Sequence, residues 1–153
     1  MLTTVELKVR QAGPLDADVL AALHRDCFAR AWDEAAMIKF AASPETLCLI
    51  GAVAAGASSV AGGLLIARKA GDEADILTFG VVPSYRNRGL GRALLGTATE
   101  RLRASGTKRL FLEVEESNDA ALRLYRSFGG EPVGRRQGYY DDGADAVIFS
   151  LAL

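Results

Sequence analysis

Cysteine, histidine and tryptophan are scarce in this chain of 153 residues, which contains two, one and one of them. The two cysteines, Cys27 and Cys48, have no neighbouring cysteine or histidine at a zinc-ligand spacing, which argues against a metal centre. A single disulfide between them is disfavoured because no secretory signal is recognisable in the sequence. We therefore expect buried, reduced thiols, no bound metal and a cytoplasmic protein.

Long apolar runs and an excess of one charge are also absent. No stretch reaches the ~18 apolar residues of a membrane span, because glycine, serine and charged residues interrupt each run. The formal net charge is −1, so nothing indicates a nucleic-acid or membrane partner. Half of the residues are hydrophobic, as in soluble globular proteins. The length fits one domain over residues 1–153, as a monomer or a homodimer.

The chain does contain a regular alternation of strand and helix patterns. Apolar runs and turns predict strands over residues 5–10, 47–55, 60–68, 73–82, 110–114, 131–139 and 144–153. Helical spacing predicts a first helix capped by Asp16, a second beginning near Asp33, a third beginning at Leu90 and a fourth capped by Asn118 or Ser117. This order indicates an α/β fold in which a mixed sheet of six or seven strands is flanked by about four helices.

The most informative segment joins a predicted strand to a predicted helix. The strand-like run of residues 76–82 is stopped by Pro83, and the loop that follows supplies three arginines and two glycines. Glycines let backbone N–H groups approach a ligand, and a helix N-terminus adds unpaired donors and the positive end of a dipole. Such a combination binds anions, most often phosphate. Its residues are Arg86, Asn87, Arg88, Gly89, Leu90, Gly91 and Arg92.

Three phosphate-binding patterns compete for this segment. A P-loop requires Gly-x-x-x-x-Gly-Lys-Ser/Thr, and no such run occurs in the chain. A Rossmann motif requires a third glycine where Leu94 stands, and its turn should be the first of the domain. The third pattern, Gln/Arg-x-x-Gly-x-Gly/Ala, is matched by residues 86–91 at every required position. These residues resemble the acetyl-CoA motif of the GNAT superfamily of N-acetyltransferases.

The resemblance extends from about residue 76 to residue 151. Residues 112–114, with Glu113 at their centre, and residues 117–125, which end in Tyr125, are similar to the second half of the GNAT core. Residues 135–148 resemble the tail of the RimI type, the ribosomal-protein alanine N-acetyltransferases. The resemblance implies a GNAT fold and acetyl-CoA-dependent transfer of acetyl to a primary amine. The first candidate is the N-terminal α-amine of a ribosomal protein.

Two other functions stay open. One is acetylation of a small-molecule amine, such as an aminoglycoside or a polyamine, and the other is a non-catalytic module that binds acyl-CoA. The presence of both Glu113 and Tyr125 favours an enzyme, because a pure binder has no need of a partly buried carboxylate beside a phenol.

By the same resemblance, backbone groups of Phe79, Gly80 and Val81 hold the pantetheine arm of acetyl-CoA where the fourth and fifth strands separate. Gly80 suits that position because a strand glycine often marks a bulge or a close approach of a ligand. Residues 87–92 then receive the pyrophosphate. Asn118 can contact the arm as well as cap its helix.

Glu113 is the candidate general base and Tyr125 the candidate acid in a direct transfer. Glu113 interrupts an apolar strand, where a charge needs a use or a partner, although a solvated glutamate at a strand end is the alternative. A tyrosine phenol, with an ordinary pKa of about 10, can donate a proton to a thiolate. Tyr125 can pack in the core at the same time. His24, the single histidine, fits a packing role better than that of a base.

The acceptor is expected to be an N-terminal amine. The ordinary pKa of an α-amine is near 8, against about 10.4 for lysine, so far more of it is neutral at pH 7. Tyr139 and Tyr140 are expected to form a wall of the acceptor groove. An acidic rim that attracts a basic peptide is a further hypothesis, with solvated surface charge as the alternative. The rim residues are Glu115, Glu116, Asp141, Asp142 and Asp145.

Overall fold

Seven strands and four helices account for most of residues 5–153, which the computed structural model describes. The strands are β1 (Val5–Gln11), β2 (Thr46–Ala55), β3 (Ser58–Ala70), β4 (Glu73–Val81), β5 (Arg109–Glu115), β6 (Glu131–Arg136) and β7 (Ala146–Ala152). The helices are α1 (Ala17–Cys27), α2 (Glu34–Ala42), α3 (Leu90–Ala104) and α4 (Asp119–Ser127). None of these four helices is long and apolar enough to cross a membrane. The predicted domain also includes residues 1–4, which lie outside the described residues.

The seven strands form one mixed sheet in the order β1-β2-β3-β4-β5-β7-β6. Neighbouring strands are antiparallel apart from β4 and β5, which run parallel. A parallel pair needs a crossover connection, and α3 supplies it. The predicted α/β fold with a mixed sheet and four flanking helices is therefore confirmed.

Apolar side chains form a core on each face of the sheet. On one face, α3 and α4 pack against the strands, and the α3 residues in this core share a spacing of four. They are Leu90, Leu94, Ala98 and Leu102, each at most 1% exposed. On the other face, α1 and α2 bury Leu20 and Met37. Each fully buried side chain of this size stabilises the fold by roughly 1.5–3 kcal/mol, so the two cores hold the helices firmly to the sheet.

Pairing between β4 and β5 ends early. Residues 73–75 of β4 pair with residues 109–111 of β5, although β4 continues to Val81 and β5 to Glu115. The two strands diverge beyond these pairs, as predicted for the fourth and fifth strands. A wedge-shaped opening results, and backbone N–H and C=O groups along residues 76–81 border it without a partner on β5.

Two local predictions are wrong. Asp16 lies at the start of α1, but its carboxylate makes no capping bond. It instead holds both guanidinium nitrogens of Arg10, at 2.9 and 3.1 Å, and accepts the Gly13 N–H. The carboxylate is thus engaged by Arg10 and Gly13 and makes no bond to an N–H group of α1. The strand predicted over residues 131–139 ends at Arg136, and the chain then turns through Gly138, whose φ is 60°.

Candidate functional site

The chain between β4 and α3 has the backbone geometry that an anion site requires. Asn87 and Gly89 have positive φ values, of 64° and 87°, and turn the backbone into α3. The first helical hydrogen bond runs from the Ala93 N–H to the Gly89 carbonyl at 3.0 Å. The N–H groups of the first helical residues are therefore not used by the helix itself. These donors and the helix dipole favour an anion at this end of α3.

Two arginines of this loop are anchored by the protein itself. The Arg86 Nε donates to the carbonyl of Val81 at 2.9 Å. The guanidinium of Arg92 lies 5.6 Å from the centre of the Phe128 ring. Positive charge is thus held beside the α3 N-terminus. The Arg86 bond also takes one acceptor position of the Val81 carbonyl, a group predicted to hold the pantetheine arm.

A cavity of about 860 Å³, which we call the loop cleft, opens between this loop and the start of α4. All predicted cofactor residues line it except Arg88, whose guanidinium lies 5.6 Å from the centre of the Tyr85 ring. Arg123 and Ser127 also line the loop cleft and were not predicted. Neither residue belongs to a recognisable motif, because only the placement of α4 beside the loop brings them to the cavity.

Two glycines of the loop cleft have different reasons to be glycine. A Cβ at Gly91 would lie 3.7 Å from Phe79, an ordinary contact, so the protein alone does not demand glycine there. A Cβ at Gly80 would lie 3.0 Å from the Cys27 Sγ and 3.2 Å from Phe28. The close packing of the end of α1 therefore explains why residue 80 is a glycine, whereas the sequence indicated the approach of a ligand at this glycine. Gly91 keeps an open approach to the α3 N–H groups.

A second cavity, of about 790 Å³, lies on the sheet face beside β5, and we call it the strand cleft. Leu112 and Val114 are buried in the core, so the alternation of side chains along β5 directs Glu113 to the opposite face and into this cleft. The Glu113 side chain is 29% exposed, and its Oε1 lies 3.1 Å from the Nε of Arg136. The candidate base is therefore half-buried and has a cationic partner that the sequence did not predict.

Tyr125 lies where the two cavities meet. Together with Phe28 and Phe79, it lines both the loop cleft and the strand cleft. Its ring packs at centroid distances of 6.4 Å from Phe79 and 6.0 Å from Phe149, so the predicted core role is confirmed. Burial raises the pKa of Tyr125 above its ordinary value, and Tyr140 adds to the shift. The phenol is thus neutral at physiological pH.

Helix caps fix the elements around the clefts. The Asn118 Oδ1 accepts the Ala121 N–H at 3.2 Å and begins α4, the helix that carries Tyr125. The Asp33 Oδ1 accepts the Ala36 N–H at 2.9 Å at the start of α2. The Asn118 cap and the start of α2 near Asp33 were predicted and are confirmed, whereas the capping role of Asp33 was not predicted. Asn118 also lines the loop cleft, so its position is compatible with the predicted contact to a bound cofactor.

Three of the five predicted rim carboxylates are paired with arginines of the chain. Arg135 pairs with Glu116 at 2.6 Å and with Asp145 at 2.8 Å. Arg30 pairs with Asp141 at 3.1 Å. The other two acidic residues accept hydrogen bonds from the Ser117 hydroxyl and the Ala144 N–H. Two arginines thus face five carboxylates, so these residues keep a net negative charge, and both the acidic rim and solvated surface charge stay open as predictions.

Tyr139 and Tyr140 line the strand cleft, where they were expected to form a wall. Their rings meet edge to face at a centroid distance of 5.2 Å. The guanidinium of Arg136 lies 5.3 Å from the centre of the Tyr139 ring. Burial raises the pKa of Tyr140, and the charge of Glu113 adds to the shift. Aromatic rings thus border the half-buried carboxylate on this side.

His24 is a packing residue, as expected. It is 3% exposed. Its Nδ1 accepts the Trp32 N–H at 3.0 Å, and its Nε2 lies 3.1 Å from the Thr78 Oγ1. Because Nδ1 is an acceptor, Nε2 carries the hydrogen and donates to the threonine hydroxyl. Burial lowers the pKa of His24, so the ring stays neutral and ties α1 to β4.

Cys27 and Cys48 are free thiols, but only Cys48 is buried as predicted, because Cys27 is partly exposed and lines the loop cleft. Burial raises the pKa of both thiols, to about 11 for Cys48. Within residues 5–153, no group of three or more histidine, cysteine, aspartate or glutamate side chains comes together as a set of metal ligands. The absence of a metal remains a prediction.

A family model and a curated relative match this chain, and both are described as acetyltransferases. A family model described as "Acetyltransferase (GNAT) family" matches residues 17–130. The ribosomal protein bS18-alanine N-acetyltransferase of Escherichia coli is 41% identical over 85 residues, which are 54% of this chain and 57% of that protein. The chain thus matches little more than half the length of this curated relative.

Two crystal structures have similar folds. That of the ribosomal-protein-S18-alanine N-acetyltransferase from Escherichia coli superposes with a TM-score of 0.84 at 28% identity, covering 96% of this chain and 94% of that one. That of Arabidopsis thaliana NAA60 in complex with acetyl-CoA has a TM-score of 0.84 at 21% identity. It covers 97% of this chain and 99% of the other. The second similarity bears on the fold alone.

Proposed function

The chain belongs to the acetyltransferase (GNAT) family, and we propose that it transfers the acetyl group of acetyl-CoA to the N-terminal α-amine of a protein. One observation carries this proposal: the loop cleft and the strand cleft share Phe28, Phe79 and Tyr125. Molecules bound in the two clefts can therefore meet at Tyr125, with Glu113 on the side of the strand cleft. This arrangement suits group transfer between two bound substrates.

The loop cleft fits acetyl-CoA in charge and in shape. The α3 N–H groups, Arg86 and Arg92 suit a pyrophosphate, and the open position at Gly91 lets it approach the backbone. The free edge of β4 along residues 76–81 offers hydrogen-bonding groups to the amides of the pantetheine arm. Bound acetyl-CoA supplies an activated acetyl group and a sulfur leaving group. Membership of the acetyltransferase (GNAT) family supports this choice.

Glu113 accepts a proton from the amine, directly or through a water molecule. An amine that enters as an ammonium loses two protons as it becomes an amide. Both pass through the Glu113 carboxylate to solvent, one before and one after attack on the thioester. One proton returns from solvent through Tyr125 to the departing sulfur, so one proton is released overall. A positioned carboxylate that performs such a transfer typically contributes ~10²–10⁴ to the rate.

Tyr125 donates its hydroxyl hydrogen toward the departing sulfur. Burial raises its pKa, which keeps the phenol protonated at neutral pH but also makes it a weaker acid, so donation to the sulfur has to accompany the breaking of the C–S bond. A donor held rigidly in the aromatic contacts with Phe79 and Phe149 costs little reorganisation when negative charge develops beside it. After donation, Tyr125 recovers its proton from solvent.

The α-amine is the proposed acceptor because it is the easier amine to deprotonate. Its ordinary pKa is about 2.5 units below that of lysine, a difference of ~3.4 kcal/mol. The printed name of the Escherichia coli relative, a ribosomal protein alanine N-acetyltransferase, supports a ribosomal protein as the acceptor. Tyr139 and Tyr140 would line the path of the peptide terminus into the strand cleft.

A pair of peptides tests this function. Both begin with alanine and contain one internal lysine, and one of them has a blocked N-terminus. We expect mass spectrometry to find acetyl only on the free α-amine after incubation with acetyl-CoA. A third peptide, with a free terminus and no lysine, is the control and should react at the same rate. Equal acetylation of the free and the blocked peptide would reject the N-terminal assignment.

The same assay separates the alternative functions. Polyamines and aminoglycosides are added in place of the peptides, and activity confined to them would assign a small-molecule acceptor. Calorimetric binding of acetyl-CoA with no transfer to any of these amines would assign a non-catalytic binding module. We expect peptides to be the best acceptors.

A further inference from the structure

Glu113, the proposed base, is paired within the protein before any substrate arrives. The Arg136 Nε lies 3.1 Å from its Oε1, and both side chains line the strand cleft. In the direct route, the acceptor ammonium reaches the same carboxylate to lose its proton. The ammonium therefore approaches a carboxylate that is already paired with the Arg136 guanidinium, which carries the same formal charge as the ammonium.

The formal charges that line the strand cleft sum to zero. Two carboxylates, of Asp75 and Glu113, are balanced by two guanidiniums, of Arg68 and Arg136. The tyrosines of the cleft carry no formal charge. The entry of another cation would leave an excess of positive charge beside Glu113, unless one of the existing cations moves away.

We infer that Arg136 is a specificity-determining residue, which the acceptor ammonium displaces from Glu113. This inference rests on the proposed function. Arg136 has freedom to leave, because its side chain is 55% exposed. Its guanidinium also lies 5.3 Å from the centre of the Tyr139 ring, a contact that needs no carboxylate. Acceptor binding is then the exchange of one cation for another at a single carboxylate.

The exchange selects acceptors by their charge. An α-amine, with an ordinary pKa near 8, is roughly nine-tenths protonated at pH 7 and can replace the guanidinium. An aromatic amine is uncharged at that pH, so it leaves Arg136 in place on Glu113. The chemical class selected is the basic aliphatic amine, and the α-amine is the member that most easily gives its proton to Glu113 afterwards.

Arg136→Gln tests the exchange because it removes the competing cation and keeps a polar side chain. The probes are an alanine-initiated peptide with a free ammonium and its desamino twin, which begins with a propionyl group. Calorimetry measures both dissociation constants with coenzyme A present and no acetyl donor, so no turnover occurs. We expect the ammonium peptide to bind about two- to fivefold more tightly, the range of exposed ion pairs, and the twin to be unchanged.

Two further variants serve as controls. Arg136→Lys keeps a cation at the position and should retain the wild-type ratio of the two dissociation constants. Arg135→Gln removes the neighbouring arginine, whose partners are Glu116 and Asp145. It should also leave that ratio unchanged. In kinetics, Arg136→Gln should lower the KM of the ammonium peptide by the factor seen in its dissociation constant.

The possible results separate the two proposals. Weaker binding of the ammonium peptide to the Arg136→Gln variant, or an equal shift for both peptides, overturns the exchange. A wild-type protein that binds the ammonium peptide and never acetylates it rejects the proposed function, while a selective gain in the variant still supports the exchange. An active wild-type protein with an unchanged ratio in the variant rejects the exchange alone. No binding of either peptide rejects both.

Discussion

The alternation of side chains along β5 sends Leu112 and Val114 into the core and Glu113 into the strand cleft. We expect Glu113→Gln to lower kcat for a peptide acceptor by the ~10²–10⁴ typical of a lost general base. Affinity for acetyl-CoA should stay the same, because Glu113 is not part of the loop cleft. Steady-state kinetics and calorimetry measure the two quantities.

Glu115→Gln is the matched control for that variant. Glu115 lies two residues further along the same strand and faces the same side, and its Oε1 accepts the Ser117 hydroxyl at 3.0 Å. Its replacement should leave kcat near the wild-type value. Wild-type turnover in Glu113→Gln, or a loss of acetyl-CoA binding there, would assign Glu113 a structural role.

Tyr125 combines packing and chemistry in one side chain. Tyr125→Phe keeps the ring contacts with Phe79 and Phe149, so the free energy of unfolding should change little. We expect kcat to fall toward the lower end of the ~10²–10⁴ range, because water can partly replace the lost donor. Burial raises the phenol pKa above about 10, so kcat of the wild type should show no loss from its ionisation up to about pH 9.

The pH profile of kcat and a denaturation curve check this prediction together. The Tyr125→Phe profile should have the wild-type shape at a lower height. Full activity in the variant would leave Tyr125 with its core role alone.

At the scale of an element, the first turn of α3 is the part of the fold that meets the cofactor in the proposed function. Gly91→Ala adds a Cβ with only ordinary contacts, the nearest at 3.7 Å. Alanine also favours a helix over glycine by about 0.5–1 kcal/mol, so stability should hold or rise. We expect affinity for acetyl-CoA to fall more than tenfold, because the new methyl group lies where the pyrophosphate approaches the backbone.

Gly96→Ala on the same helix is the matched control. Its Cβ would meet nothing closer than a Phe128 ring carbon at 4.0 Å, and Gly96 does not line the loop cleft. Calorimetry should give wild-type affinity for this control. Gly89 is unsuitable for the test, because its φ of 87° makes any side chain there a strain on the fold. An unchanged affinity of the Gly91→Ala variant for acetyl-CoA would show that the pyrophosphate does not bind at this turn.

The contact of α1 with β4 through His24 predicts a loss of stability in acid. Burial lowers the pKa of His24 in the folded protein, so the unfolded chain binds the proton first as the pH falls below about 6.5. The free energy of unfolding should then decrease with falling pH until the lowered folded-state pKa is reached, by at most about 1.4 kcal/mol per pH unit. Urea unfolding at pH 7 and pH 5 measures this loss.

The comparison variant is His24→Gln, which cannot gain a charge in this range. It should lose less stability than the wild type between the two pH values, although its stability at pH 7 is lower. Equal losses in both proteins would show that other groups carry the acid dependence.

Local patterns account for what the sequence predicted about the elements and the site. The order of helices and strands along the chain, the α3 stripe and the loop of residues 86–92 depend on residues that are near neighbours in the chain. The Arg136 pair with Glu113 and the Arg30 pair with Asp141 join residues far apart. The sequence does not indicate which oppositely charged side chain the fold brings next to a given charge. These partners could therefore not be identified from the sequence. The cap at Asp16 failed for the same reason, since Arg10 competes for the carboxylate.

At the scale of the whole molecule, two clefts that share one junction favour direct transfer. A covalent route would need a nucleophile such as the Cys27 thiol, which lines the loop cleft. Burial raises the pKa of this thiol and keeps it protonated. We therefore expect intersecting lines in double-reciprocal plots when acetyl-CoA and peptide are varied, as in a ternary-complex mechanism. Cys27→Ala should retain most of the activity.

Mass spectrometry gives an independent check of direct transfer. The protein incubated with acetyl-CoA and no acceptor should show no acetyl group on Cys27. Parallel double-reciprocal lines together with an acetylated Cys27 would require a covalent intermediate and a different order of events.

The early end of the pairing between β4 and β5 has a thermodynamic consequence. Three residue pairs join the half of the sheet formed by β1–β4 to the half formed by β5, β7 and β6. A pantetheine arm bonded along the β4 edge would act as an additional strand across this seam, and its binding free energy would add to the cohesion of the two halves. The melting temperature should then rise with acetyl-CoA concentration. Those amide hydrogens of residues 76–81 that do not bond to β3 should exchange slowly only when the ligand is bound along this edge.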